Sequence, residues 1–173
     1  NTATKRCAYM IAWIYDRGWS DIVYYCFHAL GFLSIAIFNA WYARKYDIPR
    51  WKALLLTLVV YGIAYIWIYI LCWAETGFKD FGGNNIVRGF VYFPLIAWPV
   101  SKLMRLDWKK VCDFIAPCIC LCHGISHLGC IFGGCCRGFE NSWGIYNPAY
   151  QRIVFPSPIF ESLTALAIVL IVV

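Results

Sequence analysis

Residues 53–73, ALLLTLVVYGIAYIWIYILCW, form an apolar run that contains no Asp, Glu, Lys or Arg. An α-helix needs about 20 such residues to cross the roughly 30 Å hydrocarbon core of a bilayer. The run therefore predicts a transmembrane helix. The composition of the whole chain agrees, since 62% of its residues are hydrophobic and only 14% are charged, whereas a soluble domain carries about 25% charged residues.

Further apolar segments flank this run on both sides. One of them is interrupted by Arg88, Pro94 and Pro99, and the last is still apolar at Val173, so we expect the polypeptide to continue past that residue. The pattern predicts an all-α fold, a polytopic membrane helix bundle that forms one domain over residues 1–173. The predicted spans lie near residues 22–43, 53–73, 86–104, 111–132 and 159–173.

Residues 1–20 precede the first predicted span. Their apolar core is short, and Trp13, Tyr15 and Trp19 lie among charged residues. Aromatic residues of this kind favour the boundary between lipid and water. We therefore predict an interfacial helix that lies on the outer membrane surface.

Basic residues are concentrated in two connections between spans. Residues 44–52 and 102–110 together hold eight of the 15 Lys and Arg residues. The positive-inside rule places such connections in the cytoplasm, and the N-terminus and residues 133–158 would then lie outside. The net charge of +6 is on this interpretation a consequence of topology, and we find no nucleic-acid-binding motif.

Residues 123–161, HGISHLGCIFGGCCRGFENSWGIYNPAYQRIVFPSPIFE, carry most of the side chains capable of chemistry. Two histidines, three cysteines and an arginine fall between His123 and Arg137, where an apolar helix runs into a Gly-rich turn. Ionisable groups and non-helical backbone at membrane depth require a protein-lined or hydrated cavity. We predict that the functional site lies in this segment.

One face of the predicted helix 111–132 is a polar stripe. Cys120, His123, His127 and Cys130 fall within an arc of about 80° at about 100° per residue. Two cysteines and two histidines are a zinc-compatible ligand set, but four ligands on one straight helix cannot surround a single ion. Three interpretations remain open: polar residues that face the bundle interior, catalytic histidines, or a metal site.

The order of motifs in residues 127–161 resembles the signature of bacterial prolipoprotein diacylglyceryl transferases. Residues 127–138, with Trp143-Gly144 after them, are similar to that family's Arg-x-Gly-Cys-Phe-x-x-Gly-Cys-Cys-x-Gly run and its Trp-Gly pair. Residues 155–161 are similar to its His-Pro-Ser/Thr-Gln-Leu-Tyr-Glu motif. His127 stands where the family run begins with arginine, and Phe155 stands in place of the motif histidine.

The resemblance implies a transferase that moves a diacylglyceryl group from phosphatidylglycerol onto the thiol of a lipobox cysteine in a preprolipoprotein. This reaction takes place at the outer leaflet of the bacterial cytoplasmic membrane. It needs a base for the thiol and cationic or N–H donors for the leaving glycerol phosphate. We expect no cofactor and no metal.

The resemblance and the polar stripe together predict which residues form the site. The expected catalytic residues are His127, Arg152 and His123. The expected substrate-binding residues are Arg88, Tyr92, Cys130, Gly134, Cys135, Arg137, Gly138, Trp143 and Glu161.

Two alternative functions remain open. The altered arginine and histidine positions also fit a catalytically inert or repurposed member that binds a phospholipid or a partner membrane protein. The cluster of Cys130, Cys135 and Cys136 also fits a thiol-redox or metal-binding membrane protein, in which a disulfide to Cys130 is possible on the oxidising side of the membrane.

Overall fold

A computed structural model describes residues 19–75, 77–79, 86–136, 138–147 and 151–173, with the side chains of these residues except Tyr65 and residues 86–92. Within these ranges the chain forms five α-helices, one short 3-10 turn and a two-stranded hairpin. The helices are α1 (Trp19–Tyr42), α2 (Arg50–Glu75), α3 (Ile86–Leu103), α4 (Trp108–Gly133) and α5 (Ser157–Val172); the strands are β1 (Glu140–Asn147) and β2 (Arg152–Val154).

Each predicted span coincides with one of these helices. Among the described residues, three helical segments are long and apolar enough to cross a membrane: Trp19–Tyr46, which continues α1 into the 3-10 turn, α2, and α4. Helix α5 is a shorter apolar helix. The predicted polytopic membrane helix fold is confirmed. The predicted interfacial helix lies outside the described residues, except that its last two residues, Trp19 and Ser20, begin α1.

The described residues form two compact units, one of residues 36–116 and one of residues 19–35 with 117–173. In the first unit, buried apolar residues of α2, α3 and α4, such as Leu56, Ala97 and Val111, form the core. The ammonium group of Lys52 donates a hydrogen bond to the Met104 carbonyl at 2.9 Å. The two basic connections therefore lie next to each other, as the predicted topology requires.

In the second unit, small residues let the helices approach closely. A Cβ atom added at Gly129 of α4 would lie 3.0 Å from Phe27 Cβ and 3.0 Å from the Tyr24 carbonyl oxygen, both on α1. On another side of α4, a Cβ atom at Gly124 would lie 2.9 Å from Leu166 Cγ of α5. Glycine is typical of such contacts in membranes, where close packing stabilises helix pairs.

Strands β1 and β2 pair antiparallel, with Ile145 opposite Val154 and Asn147 opposite Arg152. The pairing shifts register between Glu140 and Ile145, which marks a bulge in β1. Residues 133–158 were predicted as an outward connection, and this hairpin was not predicted. Its β1 sequence, ENSWGIYN, lacks the regular alternation of apolar and polar residues that predicts a strand.

Candidate functional site

The candidate site begins where α4 ends. His123, His127 and Cys130 share one face of the helix, and the two imidazole rings lie 4.6 Å apart between centroids. Gly134 follows the helix with a φ of +61°, and its N–H donates to the Cys130 carbonyl at 3.0 Å. This left-handed residue is a common way to end a helix. It turns the next residues back towards the helix end.

The turn brings the thiol of Cys136 next to the face of α4 that carries His123 and His127. His127 Nε2 lies 2.9 Å from the sulfur of Cys136. His127 is nine-tenths buried, with a relative exposure of 9%, and Cys130 is buried beside it. Cys135, and not Cys136, was among the predicted site residues, so the thiol that contacts the histidine was missed.

Three thiols meet in this turn, and Cys130, Cys135 and Cys136 are all free cysteines. Cys135 is the exposed member of the cluster. Hydrogen bonds from the thiols of Cys130 and Cys136 lower the pKa of Cys135 to about 3. A thiolate is stabilised by hydrogen bonds to its charged form, so the cluster favours a negatively charged sulfur at the end of α4.

Glu161 reaches the same histidines from α5. Its Oε2 atom lies 3.2 Å from His127 Nδ1 and 3.9 Å from His123 Nε2. The shorter contact is close enough for an ion pair, although it lacks the alignment of a hydrogen bond. A carboxylate near Nδ1 favours a proton on that nitrogen, which leaves the Nε2 lone pair directed at Cys136. The arrangement can accept a proton from a thiol.

The hairpin is attached to this cluster through Asn147. The Asn147 side chain is buried and donates to the Gly134 carbonyl at 3.3 Å. Sequence reasoning missed Asn147, because an asparagine at the end of an unpredicted strand has no motif signal of its own. Its contact holds the Cys135-Cys136 turn against β1.

Arg152, one of the predicted catalytic residues, lies in the hairpin. Its Nη1 atom is 2.9 Å from Glu140 Oε2, and both side chains are exposed, at 64% and 66%. The described contact of Arg152 is therefore a surface ion pair within the hairpin. Glu140 was not expected to be part of it.

Two predicted substrate-binding residues pack on Phe155. A Cβ atom at Gly138 would lie 1.8 Å from the Phe155 carbonyl oxygen, so only glycine fits there. The exposed Trp143 ring meets the Phe155 ring edge-on at 5.6 Å. Phe155 also stacks on Phe139 at 4.9 Å and on Phe160 at 4.8 Å. These contacts hold the hairpin to the start of α5.

Three predicted site residues fall where the structure gives no side chain. Arg137 lies outside the described residues, and Arg88 and Tyr92 belong to α3, whose side chains are described only from residue 93. Their roles stay predictions.

Two groups of side chains could hold a metal ion. In one group, the ligand atoms of His127, Cys130 and Cys136 all lie within 4.8 Å of one another. In the other, His123, His127 and Glu161 meet the same criterion. Neither group is the Cys120–Cys130 stripe considered from the sequence, because both recruit a ligand from outside α4.

The fold and the site together define a polytopic membrane protein with a histidine, thiol and carboxylate cluster at the end of a span. Residues 21–173 match the family model described as prolipoprotein diacylglyceryl transferase. The match covers most of the chain, and the chain belongs to this family. The membership predicted from the motifs is confirmed.

A curated relative of the chain carries the name of this family. The chain is 28% identical over 95 residues to phosphatidylglycerol–prolipoprotein diacylglyceryl transferase 2 of Clostridium perfringens (strain 13 / Type A). This alignment covers 50% of the chain and 37% of the relative's length. No solved structure matches the chain.

Proposed function

We propose that the chain transfers a diacylglyceryl group from phosphatidylglycerol to the thiol of a lipobox cysteine in a preprolipoprotein. Membership of the family and the name of the Clostridium perfringens relative support this proposal. The observation that carries it is His127, a buried imidazole with a thiol sulfur 2.9 Å from Nε2 and a carboxylate oxygen 3.2 Å from Nδ1.

In the proposed reaction, the acceptor thiol replaces the Cys136 thiol at His127 Nε2 and gives its proton to that nitrogen. The resulting thiolate attacks the carbon of the diacylglyceryl unit that bears the phosphate. An S–C bond forms as the C–O bond breaks, and glycerol phosphate leaves with the bonding electron pair. Glu161 stabilises the imidazolium through Nδ1, and His123 adds a second imidazole beside it.

The leaving phosphate needs a cation, and we assign this role to Arg152. Its ion pair with Glu140 is exposed at both ends, and such surface pairs contribute only about 0–1 kcal/mol. A lipid phosphate can therefore replace Glu140 at little cost. Arg88 and Arg137 remain further candidates for the same charge, with Tyr92, Gly134 and Trp143 as candidates for lipid contact.

The direct test is transfer of labelled glycerolipid from phosphatidylglycerol vesicles to a lipobox peptide. We expect transfer to the cysteine peptide and none to its serine analogue, since a hydroxyl is far less acidic than a thiol. Equal labelling of both peptides, or none of either, would contradict the proposal.

Arg152 and Glu140 provide a matched pair in the same assay. Arg152→Ala should lower the rate about 100-fold, the size of losing one charge-stabilising donor. Glu140→Ala removes the other half of the ion pair and should leave the rate near that of the parent. If both variants lose the rate equally, the pair is structural and Arg152 does not contact the lipid.

A second candidate function is phospholipid binding without transfer. It is favoured by Phe155, which replaces the family's motif histidine and stacks between Phe139 and Phe160. A phenyl ring cannot transfer a proton. Binding of phosphatidylglycerol vesicles without transfer to the cysteine peptide would select this function.

The proposed location is the bacterial cytoplasmic membrane, with the N-terminus outside and both basic connections inside. The contact between Lys52 and Met104 supports one side for the two connections. The test is labelling of intact cells with an impermeant thiol reagent. Tyr46→Cys should add no label over the parent protein, and added label from outside would reverse the assigned orientation.

A further inference from the structure

Three side-chain atoms that can bind a metal ion lie close together at the end of α4. They are a ring nitrogen of His127, Cys130 Sγ and Cys136 Sγ, all within 4.8 Å of one another. The His127 nitrogen that contacts the Cys136 sulfur is Nε2, at 2.9 Å. His127 and Cys130 come from successive turns of the helix, and Cys136 comes from the turn that folds back after Gly134. The donors therefore approach from two segments of backbone, which a single straight helix cannot achieve.

The donor chemistry and spacing match a zinc-type ion. Zinc binds cysteine sulfur at about 2.3 Å and histidine nitrogen at about 2.0–2.1 Å, which places ligand atoms about 3.5–3.8 Å apart around a tetrahedral ion. Thiolate and imidazole ligands also favour zinc over hard cations such as magnesium. The observed spacings, 2.9 Å between His127 Nε2 and Cys136 Sγ and at most 4.8 Å within the group, bracket this range.

The supporting contacts are those of a prepared site. Glu161 lies 3.2 Å from His127 Nδ1, and a carboxylate at the second nitrogen is the usual support of a metal-bound histidine. Asn147 anchors the turn that carries Cys136 through the Gly134 carbonyl. A small cavity of about 20 Å³ is lined by Cys130 and Cys136, which is room for about one water molecule.

We propose that His127, Cys130 and Cys136 bind a zinc-type divalent ion, with the fourth coordination position open to a water in the adjoining cavity. Three protein ligands and one open position are the arrangement of many non-structural zinc sites. Cys135 is not required as a ligand, although its thiol is close to the other two.

Metal binding would also affect lipid transfer. This effect rests on the proposed function, whereas the metal site does not depend on it. A metal ion on Nε2 occupies the lone pair that accepts the thiol proton in the proposed reaction. The metal-bound form is therefore inactive, and metal occupancy switches the site off.

The test uses the purified chain in detergent, loaded with zinc and separately with cobalt. We expect about one ion per chain and near-ultraviolet charge-transfer bands from cobalt–thiolate bonds. His127→Ala, Cys130→Ser and Cys136→Ser should each reduce bound metal to background. Cys120→Ser and Cys122→Ser, on the same helix but outside the donor set, are the matched controls and should keep the metal, as should Cys135→Ser.

Zinc should also raise the melting temperature of the parent protein, a readout that remains valid if one variant folds poorly. Glu161→Gln keeps all three ligands and should weaken zinc binding about 10- to 100-fold. Absence of stoichiometric metal in the parent, or loss of metal from Cys135→Ser to the extent seen for Cys136→Ser, would overturn the three-ligand site.

In the transfer assay, zinc should abolish the activity of the parent, and a chelator should restore it. Zinc that binds at one ion per chain without slowing transfer would overturn the switch. A chain that binds zinc but never transfers lipid would instead contradict the proposed function and leave the metal site standing.

Discussion

Two polar pairs between the described apolar helices differ in kind. In the unit of residues 36–116, Asn39 donates to the Thr57 hydroxyl, which donates in turn to the Ala53 carbonyl at 2.7 Å. Both side chains are buried and neither is ionisable. In the other unit, the buried His127 meets Glu161, whose carboxylate is 53% exposed.

The difference separates a scaffold contact from the contact that we propose to be reactive. In the Asn39–Thr57 pair, the Thr57 hydroxyl accepts from Asn39 and donates to a backbone carbonyl. These buried polar groups therefore find their hydrogen-bond partners within the protein. The His127–Glu161 pair is ionisable, reaches the surface, and has a thiol at its other nitrogen. Ionisable groups in a membrane protein are costly and usually functional. Replacing each pair should therefore affect different properties of the protein.

The largest expected effect is on the reactive pair. His127→Ala should lower the transfer rate about 100-fold or more, as expected when a general base is lost. The rate is expressed per folded molecule, because truncating a nine-tenths buried imidazole leaves a cavity that also lowers stability. The measurement is the initial rate of lipid transfer to the cysteine peptide.

His28→Ala is the matched control for that variant. His28 lies on α1, and its Nδ1 contacts the Tyr24 carbonyl of the same helix at 2.9 Å. Its removal should leave the rate close to that of the parent. If both variants lose activity to the same extent, the two histidines support the packing of α1 against α4. The proposal that His127 acts as a base is then wrong.

The next effect concerns the thiol beside the reactive pair. Because the pKa of Cys135 is lowered to about 3, its thiolate should be fully formed between about pH 5 and 8. Alkylation of Cys135 in metal-free protein should therefore be nearly independent of pH in this window. An ordinary cysteine, with a pKa of about 8.5, should react about tenfold faster per pH unit there.

The check is peptide mapping of Cys135 after iodoacetamide pulses across that pH range, with glutathione as the reference thiol. Cys130→Ala and Cys136→Ala remove the thiols that donate to the Cys135 thiolate, so each should raise the pKa of Cys135 and increase the pH dependence. A tenfold rise per pH unit at Cys135 in the parent protein would show that the cluster does not stabilise a thiolate.

A third expected effect compares one glycine from each unit. Gly129→Ala places a methyl group 3.0 Å from two backbone-anchored atoms of α1, and should lower the free energy of unfolding by about 1–2 kcal/mol. Gly62→Ala, on α2, meets nothing within 4 Å and should be neutral or stabilise the helix by up to about 1 kcal/mol. Thermal unfolding in detergent measures both, and equal destabilisation would contradict the packing of α4 on α1.

The helices were predictable because the signal for them is long and local. Twenty apolar residues without a charge have few alternatives to a membrane helix, and the segment 53–73 lies wholly within α2. The grouping of His123, His127 and Cys130 was predictable for a similar reason, since helical periodicity places them on one face.

The contacts made by the turn and the hairpin were not predictable. Cys136 meets His127 only because Gly134 adopts a left-handed conformation, and the sequence Gly133-Gly134 permits that conformation without specifying it. Asn147 and Glu140 gain their partners from a bulged pairing of β1 with β2. Such register depends on tertiary contacts and not on periodicity. The polar stripe of α4 that was weighed as a metal site did not include Cys136 for the same reason.

The smallest expected effect is on the scaffold pair. Thr57→Val keeps the shape of the side chain but removes the hydroxyl that accepts from Asn39 and donates to Ala53. Hydrogen bonds between membrane helices contribute about 0.6 kcal/mol on average, so unfolding in detergent should become easier by about 0.5–1 kcal/mol. Transfer per folded molecule should equal that of the parent, because the pair has no ionisable group to offer the reaction. Thr57→Ser restores the hydroxyl and should recover most of the stability. If Thr57→Val instead lowers transfer as much as His127→Ala does, the distinction between a scaffold pair and a reactive pair fails for this protein.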